Sequence, residues 1–288
     1  MYWLRTTPSS AKSASRRNRA GTWSSTAALM ACALLGPGVA RAVDPADLSQ
    51  DQIDGIIQKF AAKEADFSKA RDNYTYRQTA RIQELDDGGN TTGRWETVSD
   101  IVFTTDGKRT EHVVHSPVPS LHNIILTPED LEDLKSVQPF VLTTSEVPKY
   151  FIRYLGRQQV DEIGTYVFAV KPKKMEGNQR YFEGEVWVDD RDLQIVKSYG
   201  RGVGTAKNQQ FPKFETYREQ IDGKYWFPTY TIANDTLHFK DSDQRIRQTV
   251  KYEDYKQFRA ETTIKFGDEA DSKPEAPSSN GAAPPKKP

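Results

Sequence analysis

The stretch EGEVWVDDRDLQIVKSYG, residues 183 to 200, decides the fold, because it describes either an acidic catalytic or metal-binding cluster or two strands joined by a turn. Side chains alternate between the two faces of a strand, so Val186 and Val188 point to one side and Glu185 and Trp187 to the other. The pattern therefore predicts a hairpin with an apolar inner face and with its acids facing solvent.

Three aspartates, Asp189, Asp190 and Asp192, fall where the two strands of this hairpin connect. Aspartate is favoured in turns because its side chain hydrogen-bonds to the backbone of its own turn. A calcium loop of the EF-hand kind starting at Asp190 requires Gly at its sixth position and Glu at its twelfth, but Ile195 and Arg201 stand there. We interpret the aspartates as turn residues, and we predict no metal and no cofactor.

Charge is distributed unevenly along the chain. Its 288 residues hold 40 Lys plus Arg and 40 Asp plus Glu, but residues 1 to 42 carry six of the basic residues and no acid. The remainder thus has 34 basic against 40 acidic side chains, a net charge of minus six. Because affinity for phosphate backbones comes from clustered cationic charge, we predict no nucleic-acid partner.

The N-terminal segment is typical of a secretory signal peptide over residues 1 to 42. Five of its six basic residues precede the apolar run AALMACALLGPGVARA, which ends in the cleavage pattern Ala40-Arg41-Ala42. The run is too short to span about 30 Å of hydrocarbon, so we predict cleavage, export to the periplasm and no stable transmembrane anchor. The alternative is a lipid anchor on Cys32, the single cysteine of the chain.

A long helix is predicted to open the mature chain. Asp44-Pro45 offers one start signal, and Ser49 with Gln52 offers a capping box as the alternative start. The apolar residues that form one stripe at helical spacing are Ile53, Ile57, Phe60 and Phe67. Since the helix is amphipathic, it must lie on another element.

From Asn73 onward the hydrophobic period changes from helical to two, which is typical of antiparallel strands. The predicted strands cover residues 73–85, 92–105, 108–116, 150–160, 165–173, 180–189, 193–200, 213–222, 224–234 and 244–258. Asp222-Gly223 predicts a two-residue hairpin turn. Gly200 to Gly204 is predicted to be a flexible loop, because no helix follows it to hold a phosphate.

One interruption, residues 127 to 150, is predicted to be helical. Thr127 suits an N-cap and Pro128 the first helical position, with Leu131 and Leu134 on one side. The last segment, residues 267 to 288, is rich in Pro, Ala and Lys and is predicted to be disordered. One domain, residues 43 to 266, lies between the signal and this tail.

The order of these elements predicts a mainly β, α+β fold built on one large antiparallel sheet. Such a sheet must curl to bury one face, and the helices can cover only part of its concavity. We therefore predict an unclosed half-barrel of about ten to eleven strands, with a long N-terminal helix and a short helical lid over its concave face. The mouths of such barrels commonly hold apolar ligands.

Candidate ligand-binding residues are those on the more apolar side of each strand. They are Tyr76, Trp95, Ile101, Phe103, Phe168, Val186, Val188 and Trp226. Periodicity does not distinguish a packed core from a lipid cavity, so both interpretations stay open. No catalytic residues are predicted: His112 and His115, three apart on a strand, project to opposite faces, and no serine-histidine-aspartate order accompanies them.

The chain resembles a known family through RYFEGEVWVDDRDLQIVKSYGR, the signal peptide, the leading helix and FPKFETYREQIDGKYWFPTYT. It is similar to the LolA/LolB-like periplasmic lipoprotein-sorting proteins, over residues 45 to 266. The resemblance implies an unclosed β-barrel of about eleven strands whose concave face, covered by helices, binds acyl chains. It also implies an arginine on an early strand that holds the helical lid, and Arg77 and Arg81 are the candidates.

The leading prediction is a periplasmic lipid- or lipoprotein-binding protein that is not an enzyme, with residues 127 to 148 as a movable lid. Its partners would be lipid or lipoprotein acyl chains. One alternative is an envelope interaction or sensor module of the same fold, whose partners are envelope membrane proteins. The other is a carboxylate-dependent hydrolase.

Overall fold

The structure is a computed structural model that describes residues 48–104, 107–177, 179–204 and 209–257. Outside these residues lie the predicted signal peptide, Cys32, the Asp44-Pro45 start signal, the bounds of the predicted domain and the predicted disordered tail. Within them, no helix combines the length and the apolar character that crossing a membrane requires.

The leading helix, α1, runs from Gln50 to Arg71. It begins at the capping box predicted from the sequence: the Gln52 backbone N–H donates to Ser49 Oγ at 3.4 Å, and the Ser49 N–H donates to Gln52 Oε1 at 2.8 Å. Phe60 and Phe67 are fully buried. The predicted apolar stripe is therefore the face with which α1 packs on the sheet.

Within the described ranges, ten antiparallel strands form one sheet, as the period of two predicts. They are β1 (Tyr74–Leu85), β2 (Thr91–Phe103), β3 (Arg109–His115), β4 (Tyr150–Val160), β5 (Ile163–Pro172), β6 (Tyr181–Asp189), β7 (Ile195–Val203), β8 (Phe214–Gln220), β9 (Trp226–His238) and β10 (Asp243–Gln257). Their order is β3-β2-β1-β10-β9-β8-β7-β6-β5-β4, so β3 and β4 are unpaired edges and the barrel is not closed.

A single segment, residues 116–149, connects the two edge strands, and we call it the crossing segment. It contains the short helix α2 (Pro128–Glu132), a π-helical turn over Asp133–Val137 and a 3-10 turn over Val147–Lys149. Since β3 and β4 lie at opposite ends of the sheet, this segment must pass over its whole width. The predicted helical interruption is thus part of the crossing segment that lies over the half-barrel.

The start of the crossing segment is fixed by one buried carboxylate. Glu84, at the end of β1, is fully buried and accepts backbone N–H groups of His122, Asn123 and Ile124 at 2.7–3.0 Å. Three amide donors satisfy a buried carboxylate that would otherwise be costly to desolvate. These hydrogen bonds hold the segment at the end of β1 before it turns over the concave face.

The concave face is close-packed under α1. Phe60 of the helix lies 5.3 Å from the Phe168 ring, between ring centroids. Val186 and Val188, the inward valines of the opening hairpin, are fully buried in the same cluster. The alternation predicted for β6 is therefore confirmed, and the space between helix and sheet is filled here by side chains.

Buried acidic and basic side chains join α1 to the sheet. Glu64, fully buried on α1, accepts from Arg218 Nη1 at 3.1 Å and from the Ile195 backbone N–H at 3.0 Å. The Arg218 side chain, on β8, is 3% exposed. Because both groups are removed from water, each depends on the other for its partner.

The outer face carries its own smaller apolar cluster. Val167, Trp187 and Val196 are buried there, each adjacent in sequence to a residue of the concave cluster. Trp226 packs against this outer cluster rather than on the concave face. The strand period thus sorts neighbouring residues to opposite sides of the sheet, as expected.

Two local predictions are corrected by the structure. Five residues, 221–225, separate the paired Gln220 and Trp226, so Asp222-Gly223 does not form a two-residue turn. The longer loop arises because the Asp222 carboxylate accepts the N–H groups of Lys224 and Tyr225. Similarly, Gly200 to Gly202 lie in β7 and pair with β6 instead of forming a loop.

The turn of the opening hairpin is capped by its own aspartate, as predicted. Asp189 Oδ1 accepts the N–H groups of Arg191 at 2.6 Å and Asp192 at 2.7 Å. Asp189 is buried, however, so the prediction that all the acids of this stretch face solvent is wrong at this residue. The two amide donors replace the water that it loses.

Replacing Glu64 by Gln is expected to lower the free energy of unfolding by about 3–5 kcal/mol, because Arg218 is left as an uncompensated buried charge. Urea denaturation followed by circular dichroism measures the change. The matched control is Glu96→Gln, which breaks the half-exposed pair with Arg81 and should lower it by less than about 1 kcal/mol. Equal losses in the two variants would contradict the role given to Glu64.

Candidate functional site

A cleft of about 1070 Å³ opens beside the packed core, between the crossing segment, the end of α1 and the sheet. Its floor comes from β1, β2, β3 and the end of β10, and its far wall from the starts of β4 and β6. The residues that line it include Arg71, Tyr76, Phe103, Arg109, Glu111, Glu132, Lys135, Val137, Phe140, Glu146, Tyr150, Arg180, Tyr181, Phe182 and Tyr255.

Aromatic rings form both ends of the cleft. At one end Tyr76 and Tyr255 stack with ring centroids 5.1 Å apart, and the Tyr255 hydroxyl donates to the Pro228 carbonyl at 2.7 Å. At the other end Phe140 of the crossing segment stacks on Phe182 at 4.5 Å. Burial raises the pKa of Tyr255 well above its usual value, so this phenol stays neutral. The cleft therefore offers uncharged aromatic surface at each end.

One buried ion pair holds the crossing segment where it roofs the cleft. Arg180, just before β6, donates from Nε and Nη2 to the two oxygens of Asp133, both at 2.7 Å. Burial raises the pKa of Asp133 to about 6, against the lowering effect of Arg180. Gly202 makes the approach possible, because a Cβ at this position would collide with the Asp133 carboxylate.

Two residues of β8 hold the next part of the crossing segment. Thr216 Oγ1 donates to the Gln138 carbonyl at 2.9 Å, and Arg218 Nη2 donates to the Phe140 carbonyl. Val137 and Phe140 are buried in the concave cluster. The roof of the cleft is therefore docked by a few polar bonds and by apolar side chains that come from the segment itself.

The charges at the β3 end of the cleft are partly neutralised. Arg109 donates to Glu111 Oε2 at 3.1 Å and to Gln78 Oε1 at 2.9 Å. Although burial opposes it, hydrogen bonds from Ser99 and Arg109 keep the pKa of Glu111 below its usual value, so this carboxylate is ionised. Arg71 lies over the Phe103 ring, with Cζ 5.6 Å from its centroid.

The predicted ligand-binding residues are divided among four places. Tyr76 and Phe103 line the cleft. Ile101 is fully buried behind them, and Trp95 packs against the same cluster. The remaining four lie elsewhere: Phe168, Val186 and Val188 in the packed core under α1, and Trp226 on the outer face.

The arginines that hold the covering elements are not the ones that the resemblance implies. Arg77 and Arg81 alternate with the buried residues of β1, so they lie on the outer face, where they pair with Asp100 and Glu96. Arg218 and Arg180 perform that role instead. A signal for Arg218 was present, because the period of β8 places it on the same face as Phe214 and Thr216.

Metal binding has no support in the part of the chain that the structure describes. No group of three or more His, Cys, Asp or Glu side chains there is arranged to hold an ion. His112 and His115 are exposed on the edge strand β3, as predicted.

A methyl group added at Gly202 should weaken the attachment of the crossing segment over the cleft, since it displaces Asp133 from Arg180. We expect Gly202→Ala to raise the rate of amide hydrogen exchange over residues 132–138 by at least about tenfold, consistent with loss of about 1.4 kcal/mol of local stability. Mass spectrometry of peptic fragments measures it.

The control for Gly202→Ala is Gly55→Ala, where an added methyl meets no atom within 4 Å. This variant should leave exchange in the crossing segment unchanged. Unchanged exchange in Gly202→Ala as well would show that the Asp133–Arg180 pair does not hold the segment.

No protein-family model matches the chain, and the search of curated proteins gives no match. Among solved structures, a LolA superfamily protein from Nitrosomonas europaea is 13% identical to this chain, with a TM-score of 0.34. The match covers 70% of this chain and 92% of that protein's chain. A DUF1329 family protein from Desulfovibrio piger is 12% identical at a TM-score of 0.36, with 70% and 92% covered. An outer-membrane lipoprotein-sorting protein domain from Vibrio parahaemolyticus is 12% identical at 0.33, with 73% and 95% covered. At these identities and TM-scores, no fold, ligand or function is carried over to this chain.

Proposed function

We propose that the protein binds an apolar chain of a lipid or lipoprotein in the cleft under the crossing segment, in the periplasm. The observation that carries the proposal is the cleft itself, of about 1070 Å³ with aromatic rings at both ends. Sites for small ligands commonly have volumes of about 300–1,000 Å³ and mostly apolar or aromatic walls. The predicted signal peptide supports the periplasmic location.

Burial of the chain would supply the binding energy. Each methylene removed from water contributes about 0.8 kcal/mol, so six methylenes held in the cleft contribute about 5 kcal/mol. The packed core under α1 adds no room for the ligand. The ligand-binding region is therefore the cleft rather than the whole concave face.

The crossing segment acts as the lid in this proposal. Its hydrogen bonds to the sheet are made by Asp133, Gln138 and Phe140, which lie in one short stretch of the segment. Release of that stretch would widen the cleft without unfolding the strands. Opening and closing would then control entry and exit of the chain, as loop closure does in many binding sites.

The proposed role is binding without a catalytic step. Two of the carboxylates that line the cleft are held by neighbours: Glu111 pairs with Arg109, and Glu146 pairs with Lys149 at 2.9 Å. A general acid or base needs a proton that it can exchange with a substrate. These pairings support a binding site over a hydrolase.

Filling the cleft tests this function. The uncharged dye N-phenyl-1-naphthylamine should bind the wild-type protein, with fluorescence enhancement that saturates. Ser136→Trp places a large ring into the cleft from its lining and should weaken binding by at least about tenfold, since steric overlap removes the apolar contact.

Thr144→Trp is the matched control, because Thr144 is exposed on the same segment and is not among the lining residues. It should bind the dye as the wild type does. Absence of saturable binding in the wild type, or equal binding by Ser136→Trp, would refute a ligand-binding cleft.

A second candidate function, an envelope interaction module, is favoured by the edge strand β3. Among the described strands this one pairs with β2 alone, and Val113 and Val114 are 53% and 51% exposed. An unpaired edge offers backbone donors and acceptors to an incoming strand. We infer that an extended segment of an envelope protein is the kind of partner that fits this edge.

Photo-crosslinking in cells distinguishes this second candidate. A photoreactive residue at Val113 should give one discrete protein adduct, whereas the same residue at Val118, which is 92% exposed but outside the strand, should give none. The same adduct pattern at both positions would contradict binding at the strand edge.

A further inference from the structure

Three buried guanidinium nitrogens of residues that line the cleft have no acceptor among the described residues: Nη1 of Arg180 at the far wall and two at the β3 end. Nε of Arg71 and Nε of Arg109 are buried, and neither has a hydrogen-bond partner among the residues that the structure describes. Both side chains line the cleft. Buried polar groups are nearly always hydrogen-bonded, so an exception calls for an explanation such as a partner that is not part of the chain.

The two arginines come from different elements, and both are neighbours of Phe103. Arg71 ends α1, and its Cζ lies 5.6 Å from the Phe103 centroid. Arg109 begins β3 and is paired in register with Phe103 of β2. The phenol of Tyr76 lies beside Arg109, and Tyr255 stacks on Tyr76. The guanidinium of Arg71 and the unpartnered Nε of Arg109 thus flank an aromatic surface.

The acids near these arginines leave cationic charge uncompensated. Glu111 accepts hydrogen bonds from Arg109 and Ser99, and Glu64 accepts hydrogen bonds from Arg218. Asp72 is adjacent to Arg71 in sequence, and the two attract each other, but no ion pair within 4 Å joins Arg71 to a described acid. Lys135, on the crossing segment, faces the same end of the cleft and has no such pair among those residues either.

A guanidinium fork matches the oxygens of a carboxylate or a phosphate, and such charge-assisted bonds are stronger than neutral ones. We propose that the β3 end of the cleft binds the acidic group of an amphiphile, a carboxylate or a phosphate, through Arg71 and Arg109. The apolar part then lies along Tyr76 and Tyr255 toward Phe140. This assignment rests on the cleft's proposed function and adds the chemical class of the ligand.

The aromatic floor identifies an amphiphile as the occupant rather than a free anion. An inorganic phosphate would satisfy the arginines but would make no apolar contact with the half-buried rings of Phe103 and Tyr255. An acid attached to an apolar chain satisfies both surfaces at once. Head group and chain would therefore enter in one orientation, with the acid at β3.

The test is displacement of the bound dye by a matched series at pH 7.5: dodecanoate, methyl dodecanoate, dodecyl phosphate and inorganic phosphate. Dodecanoate and dodecyl phosphate should compete at least about tenfold better than the methyl ester, since about 1.4 kcal/mol from the charge-assisted bonds corresponds to tenfold. Arg71→Gln should remove that preference and leave competition by the ester unchanged.

Arg71→Lys should restore part of the preference, because it keeps the charge without the fork. The matched control is Arg77→Gln, which removes an arginine from the outer face and should change nothing in the series. Unchanged competition by the ester in Arg71→Gln also shows that this variant is folded.

Three outcomes overturn the assignment. Equal competition by acid and ester refutes the acidic head-group site while leaving the apolar cleft intact. Competition by inorganic phosphate as strong as that by dodecyl phosphate refutes the amphiphile. If the dye and all four compounds fail to bind, the proposed function of the cleft fails first, so the two failures are distinguishable.

Discussion

Arg218 is the residue on which the covering of the half-barrel depends. Its guanidinium bonds to Glu64 of α1 and to the carbonyl of Phe140 in the crossing segment, and it lies 5.0 Å from the centroid of the Phe67 ring. Charge buried in this way gives little net stability, because desolvation offsets the attraction. Its contribution is to fix positions, because it attaches both α1 and the crossing segment to the same strand, β8.

This arrangement divides the concave face into two unlike regions. Under α1, buried rings and branched side chains fill the space between the helix and the sheet. Beyond the end of α1, the crossing segment is the one part of the described residues that covers the sheet, and a cleft remains. A fold of this kind can therefore keep a rigid core and a ligand site on the same sheet, because separate elements cover them.

Most of the strands were predictable within three residues, because alternation and turn residues are local signals. The start of α1 was also local, at Ser49 and Gln52. The predicted strand over residues 193–200 ends before β7 does at Val203, because Gly202 makes room for a distant side chain, Asp133, which local sequence does not reveal. For the same reason the lid arginine implied by the resemblance was sought on β1. The arginine that performs this role is Arg218 on β8, and its partner Glu64 on α1 is 154 residues away in sequence.

The pairing of β1 with β10 brings the first and last strands together in the middle of the sheet, with Tyr74 opposite Gln257. Until β10 is available, β1 to β3 and β4 to β9 are two separate sheets, and each exposes an edge that is later internal. Contacts between residues so far apart in sequence slow folding, and open edges invite pairing with other chains. A newly made chain therefore passes through a period of vulnerability to aggregation that ends only with its last strand.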